Sequence, residues 1–242
     1  MNTTSRNAFL GVLGLIALVG VAVVILVTRP AASSGPAATG ETKTVAYTAG
    51  GRAQTVALRR LSADPLEGAR FVWGDAKAPV TVVEFSDYEC PSCAVFATQT
   101  EPLFRTEFVE TGKVRFAYRD FPLPFHAGAE PAAVAAACAN DQGRYDAMKA
   151  VVFRAQSAWS SLSGDALSKA LVDYAGQVGL DAGALEGCLK ANTHVAAVRA
   201  DRDRGNALGI KATPSFIVNG WLFEGALPIE GFRAVLAEFG AK

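Results

Sequence analysis

A run without a single charged side chain, Phe9 to Val27, opens the hydrophobic pattern of the chain. Wound as a helix, its 19 residues would extend about 28 Å against a bilayer hydrocarbon core of about 30 Å. No polar face interrupts it, which argues against a buried core helix. The reading is a transmembrane anchor over residues 9–27, behind a short N-terminal cytoplasmic tail (1–8). A cleaved signal peptide is the alternative, with Ala31-Ala32-Ser33 as its small-residue site, although the run exceeds the usual h-region. Residues 28–40, "TRPAASSGPAATG", have no apolar periodicity and a Pro, Ala, Gly and Ser composition, so they read as a flexible linker.

Beyond the linker the period changes. Thr42 to Tyr47 and Thr55 to Leu58 alternate apolar and polar residues around Gly50-Gly51, which predicts a hairpin within an N-terminal extension, 41–65. Phe71-Val72-Trp73 and then "VTVVEFS" (Val80 to Ser86) are apolar and β-branched, the second run continuous enough for a strand buried on both faces. Pro91 suits the first turn of a helix, and Val95, Phe96, Leu103, Phe104 and Phe108 recur near helical spacing as far as Gly112, with Pro102 expected to kink it. "KVRFAYR" follows as a strand. Strand, helix and strand in this order make a βαβ unit with a parallel pair.

Residues from about 126 to 208 are helix formers broken by Gly, Ser and Asp, and read as an all-helical insertion. "PSFIVNGWLFEG" then supplies two strands joined through Asn219-Gly220, a two-residue hairpin signal. The amphipathic "PIEGFRAVLAEFG" closes the chain as a helix. The fold class is therefore α/β, one domain over 66–242 with a helical insertion, preceded by the transmembrane helix.

Composition adds little. Of 242 residues half are apolar, and 23 basic side chains balance 23 acidic ones, so no charge excess points to a nucleic-acid partner. The four cysteines change the picture. Cys90 and Cys93 stand three apart where the central strand gives way to a helix, while Cys138 and Cys188 fall singly on separate predicted helices. Structural zinc would show two closely spaced ligand pairs, and only one pair is close, so no metal is assigned. A Cys90–His194 hydrolase pair is open on sequence grounds, yet it would leave Cys93 without a task.

Redox chemistry gives each position a reason. A cysteine at a helix N-cap meets unpaired N–H groups and the positive end of the helix dipole, which favours its thiolate. Cys90 is the expected exposed nucleophile. Cys93, one turn on, can approach it and resolve a mixed disulfide. Pro91 begins the turn without wasting an N–H.

With "EFSDYECPSC", "RDFPL" (Arg119 to Leu123), the helical insertion and "GIKATPSFIVNG" (Gly209 to Gly220) in this order, the segment from about Glu67 onward resembles the DsbA-like thioredoxin-fold thiol-disulfide oxidoreductases, including membrane-anchored members. The resemblance implies a cis-proline loop at Thr213-Pro214 whose backbone binds an extended substrate segment. An X-Pro bond opening a strand is a natural cis candidate on its own account, with an ordinary trans proline as the alternative. Glu84 falls where this family often has a buried acid, which makes it the proton-relay candidate beside Cys93; a satisfied carboxylate is the other reading. Strongly oxidising members have a histidine where this chain has Ser92, so Pro91 and Ser92 are expected to tune a reactive but less oxidising pair. Some relatives have a second cysteine pair in the insertion, which suggests a structural Cys138–Cys188 disulfide, against two separate buried thiols.

The implied activity is disulfide formation in exported proteins bearing free thiols, by dithiol-disulfide exchange that needs no cofactor. It would take place on the extracytoplasmic side of the cell membrane, or in a secreted or periplasmic form if the N-terminus is cleaved. Reoxidation would fall to a membrane redox partner, by resemblance a quinone-coupled one. A disulfide reductase or isomerase is the alternative within the same chemistry, and a peptide-binding, chaperone-like module with structural disulfides is the alternative from another class.

Overall fold

The computed structural model describes residues 40–62 and 65–241, so the run 9–27 lies outside the described residues. Among the described residues no helix is long and apolar enough to cross a membrane. The chain is organised on a seven-stranded mixed sheet: β1 (Thr42–Ala49), β2 (Arg52–Arg60), β3 (Phe71–Trp73), β4 (Val80–Ser86), β5 (Val114–Asp120), β6 (Ser215–Val218) and β7 (Trp221–Glu224). Their spatial order is β1-β2-β7-β6-β4-β5-β3.

At the centre lies β4, because it carries apolar residues on both faces. Val80 and Val82 join one core, Val83 and Phe85 another on the opposite side, and all four are fully buried. β4 runs parallel to β5 from Val80↔Val114 to Ser86↔Asp120, and antiparallel to β6. Between β6 and β7 the chain reverses through Asn219 (φ 45°) and Gly220 (φ 83°). That pair of left-handed residues matches the twist of the flanking strands, and the Asn219 amide locks the turn by accepting from the Thr81 N–H at 2.8 Å. The hairpin β1–β2 is appended at the far edge, where β2 pairs with β7 at Arg59↔Leu222 and Arg60↔Trp221 and β1 packs against the closing helix.

The crossover from β4 to β5 is a continuous helical stretch, α1 (Pro91–Val95) and α2 (Glu101–Phe104), alternating with two π-helical turns at Phe96–Thr100 and Arg105–Val109. Pro102 lies between these turns at the start of α2, where its missing N–H takes little from the hydrogen-bond ladder. Phe96 and Phe104 point into the sheet and pack on Phe216, Phe116 and Phe232, with ring centroids 4.7–5.3 Å apart. Phe232 belongs to the closing helix α9 (Ile229–Ala237), which also buries Ile229, Val235 and Leu236.

Between β5 and β6 stand α3 (Ala129–Asn140), α4 (Tyr145–Arg154), α5 (Gln156–Trp159), α6 (Gly164–Gln177), α7 (Ala182–Lys190) and α8 (Val195–Ala207). α3 is buried from Ala132 to Ala139 and so forms the axis of this insertion; its alanines let α4, α6, α7 and α8 approach from different sides. The insertion is fastened to the sheet through a buried ionic knot. Arg119 on β5 donates to Asp201 of α8 at 2.6 Å and to the carbonyls of Pro65 and Glu67, while Arg70 bridges Asp120 and Asp201. Two guanidinium groups thus face two acids, although burial outweighs Arg70 at Asp120 and raises that carboxyl to about 7.

Candidate active site

The strand β4 ends at Ser86, and a tight turn follows in which the Cys90 N–H donates to the Asp87 carbonyl at 3.1 Å. Cys90 is therefore the N-cap of α1, with extended backbone angles and Pro91 at the first helical position. Both sulfurs of the pair are free thiols. Cys90 is less open than its cap position implied: it retains 8 % of its surface, and Cys93 retains none.

The two thiols are held in opposite protonation states. The Cys93 thiol, the Thr213 hydroxyl and the backbone N–H groups of Cys93 and Ser92 all favour the Cys90 thiolate, and they outweigh burial to bring its pKa down to about 5. Burial first, and then the neighbouring Cys90 and Glu84 charges, push Cys93 far above the ordinary thiol value. Such a pair can present one sulfur as a thiolate at neutral pH while withholding the other until a proton acceptor is at hand.

Pro214 lies across from the pair with a cis peptide bond to Thr213. The Cys90 sulfur is 3.3 Å from the Thr213 carbonyl oxygen, so this loop, 123 residues away in sequence, forms one wall of the site. Proline at that point adds no N–H to compete for the sulfur.

Glu84 on β4 is fully buried and shares its face of the strand with Ser86, between the sheet and α2. Burial raises its pKa to about 7, opposed by Lys149 and reinforced by the Glu101 carboxylate. Lys149 Nζ stands 3.9 Å from Glu84 and 2.6 Å from Glu101. A carboxyl poised near neutrality beside a buried thiol can take or give a proton without a large change in free energy. Between pH 4.5 and about 7 the folded chain holds this proton more firmly than the unfolded chain, so stability falls as pH rises through that window. The variant Glu84→Gln lacks this slope and should gain on the wild type by up to about 3 kcal/mol at pH 8, with no gain below pH 4.5. Urea unfolding at a series of pH values measures this, and a pH-independent difference would contradict it.

Several groups around the pair carry no motif in the sequence. Gln156, at the start of α5, donates to the carbonyls of Tyr88 at 2.7 Å and Cys90 at 3.0 Å. The Asp87 carboxylate accepts from the N–H groups of Glu89 and Leu123 and meets His126 Nδ1 at 2.8 Å, while Glu89 accepts from the Gly128 N–H. Tyr88 stacks on Phe153 of α4 at 4.6 Å. No spacing rule links positions 36 to 68 residues apart, and a single lysine in a helix ordinarily signals a solvated face, so Lys149 and Gln156 gave no advance notice. His194 lies with Asp141 and the Cys138–Cys188 disulfide, whose S–S distance is 1.99 Å, and it makes no pair with Cys90.

Comparison with known proteins agrees with this geometry. The sequence model of the family described as "Thioredoxin" matches residues 67–238. The chain is 32 % identical over 166 residues to the Na(+)/H(+) antiporter NhaA 1 of Salinispora arenicola, covering 68 % of this chain and 24 % of that protein. It is 43 % identical over 58 residues to disulfide bond formation protein D of Bacillus subtilis, covering 24 % of this chain and 26 % of that one. The chain thus spans about a quarter of the length of these curated relatives. Among solved structures, oxidised BdbD of Bacillus subtilis superposes with a TM-score of 0.62 at 27 % identity, over 72 % of this chain and 94 % of that one. α-DsbA1 of Wolbachia pipientis superposes with 0.61 at 25 %, over 69 % and 89 %. Strand order, the cysteine pair at the β4–α1 junction and these matches together place the chain in the thioredoxin family, among the DsbA-like thiol-disulfide oxidoreductases.

Proposed function

We propose that the protein is an extracytoplasmic thiol-disulfide oxidoreductase that forms disulfides in exported proteins, anchored to the cell membrane through residues 9–27. The observation that carries this reading is the asymmetry of the pair: a Cys90 thiol held at about 5 beside a Cys93 thiol held far above the usual range, under the Thr213-Pro214 loop. Cys93 is fully buried, so Cys90 is the sulfur of the Cys90–Cys93 disulfide open to attack, and because a low-pKa thiolate is a good leaving group Cys90 is then readily displaced from the mixed disulfide. A client thiolate forms a bond to the Cys90 sulfur as the Cys90–Cys93 bond breaks, and Cys93 leaves with a proton that Glu84 can supply. A second client thiolate then displaces Cys90, so the client gains a disulfide and the enzyme retains two thiols. The Thr213 backbone holds the client segment as an added strand during these steps.

Two further observations support the direction and place. The Bacillus subtilis relative is named for disulfide bond formation, and the Cys138–Cys188 disulfide suits an oxidising compartment. A membrane redox partner, quinone-coupled, would restore the Cys90–Cys93 disulfide. The antiporter name belongs to a protein of which the chain matches a quarter, and no ion transport is carried over.

Equilibration with glutathione tests the proposal. Because Cys90 at about 5 lies between the nucleophilic thiols of thioredoxin (about 7) and DsbA (about 3.5), the potential is expected between about −270 and −120 mV. The oxidised enzyme should also transfer one disulfide to a reduced, unfolded client. A potential at or below the thioredoxin value, with no transfer, would favour a reductase.

A further inference from the structure

The second cysteine pair has neighbours that a purely structural disulfide does not need. Cys138 sits near the end of α3, and Asp141 follows three residues later as the helix C-cap. Cys188 lies on α7, and the chain then turns back through Asn192, whose φ of 53° permits the reversal, to place His194 at the N-cap of α8. The two sulfurs and a His194 ring nitrogen all lie within 4.8 Å of one another. His194 Nε2 is 2.8 Å from Asp141 Oδ2, and that same oxygen is 4.0 Å from the Cys188 sulfur. Once reduced, the two sulfurs would join the imidazole as three donors suited to tetrahedral zinc, and Asp141, outside that close cluster but 2.8 Å from His194, is placed to complete the set. Their order, Cys-x2-Asp and Cys-x5-His on two helix ends, has the paired spacing that the four cysteines alone lacked.

We propose that this cluster is a redox-gated zinc site: closed while the Cys138–Cys188 bond is intact, and competent to bind one Zn²⁺ through Cys138, Cys188, His194 and Asp141 once it is reduced. The opening step is a two-electron exchange with a dithiol reductant. The S–S bond of Cys138–Cys188 breaks, a disulfide forms in the reductant, and two thiols appear here. Zinc then takes the place of two thiol protons, which leave to solvent, and His194 binds through the nitrogen that now faces Asp141. Tetrahedral Zn–S bonds of about 2.3 Å need the sulfurs about 3.8 Å apart, a separation that side-chain rotation at the half-buried Cys188 can supply while Cys138 stays anchored in the core. An entry path exists, since Asp141 is half exposed and His194 partly so. The metal would then join α3, α7 and α8 when the covalent link is absent, preserving the insertion through reducing episodes.

The test uses the full chain carrying Cys90→Ser and Cys93→Ser, so that the first pair cannot contribute ligands, reduced with a phosphine and titrated with Co²⁺ and then Zn²⁺. Expected are one Co²⁺ per chain with the visible bands and sulfur-to-cobalt charge transfer of a tetrahedral thiolate site, displacement by Zn²⁺, and about two protons released per metal. The unreduced protein should show none of this. His194→Ala should weaken binding at least tenfold, Asp141→Asn by less, and Cys188→Ser should abolish the charge-transfer band. No band on reduction, or a band unchanged by His194→Ala in a chain whose oxidised form folds normally, overturns the proposal. If reduction unfolds the insertion, Zn²⁺ should restore its helical circular dichroism, and failure to do so overturns it equally.

Discussion

A Cys93→Ala variant is expected to accumulate covalent adducts with client proteins through Cys90, while its multiple-turnover exchange falls to background. Cys90 should remain a thiolate at neutral pH, because the Ser92 and Cys93 N–H groups and the Thr213 hydroxyl are untouched. Its midpoint should rise somewhat, since the Cys93 thiol is the largest of the stabilising neighbours. The thiolate attacks a client disulfide, and the resulting mixed disulfide then has no adjacent thiol to expel it. In the wild type that expulsion is intramolecular and profits from a high effective concentration. Non-reducing electrophoresis after acid quench should show adducts that collapse on reduction and that vanish in Cys90→Ser/Cys93→Ala. A folded Cys93→Ala protein that forms no adducts would point to the peptide-binding module instead of an exchange enzyme.

The second large effect is on stability. Replacing both Cys138 and Cys188 by alanine opens a closed loop with a sequence separation of 50, for which chain entropy gives a loss of up to about 4 kcal/mol. The bond ties the buried axis α3 to the half-buried α7, so the loss should concentrate in the insertion. Urea denaturation in the presence of a chelator reads the effect free of any metal, and reduction of the wild type under the same conditions should reproduce it. A shift of the midpoint corresponding to less than about 1 kcal/mol would mean that packing around α3 alone holds the insertion together.

These expectations draw unequally on sequence and structure. The βαβ unit could be read because a seven-residue run rich in β-branched residues followed by a proline-led helix has few other outcomes, and the β6–β7 turn because Asn-Gly has a steric reason to be there. The helical insertion was visible as composition. Its role at the site was not, because Gln156, Lys149 and Glu101 act through contacts of 48 to 68 residues' separation, and each looks like an ordinary surface residue until the helices are packed. The same is true of Asp141 and His194. A histidine on an unremarkable stretch gives no sign of the cysteines it faces, since helix packing alone brings α3, α7 and α8 to one point.

The hydrogen bonds from Gln156 to the carbonyls of Tyr88 and Cys90 bear on how such a site can be inherited or engineered. The segment Tyr88–Cys93 is short enough to look like a cassette that could be moved between thioredoxin scaffolds. In this protein part of its fastening comes from the helical insertion, through Gln156, Gly128 and Phe153. Transplanted without that insertion, the loop would keep its cysteines and lose the template that shapes it. The unit on which selection acts here is the seam between sheet and insertion, and recombination that respects the motif but cuts the seam should yield folded, poorly tuned chimaeras.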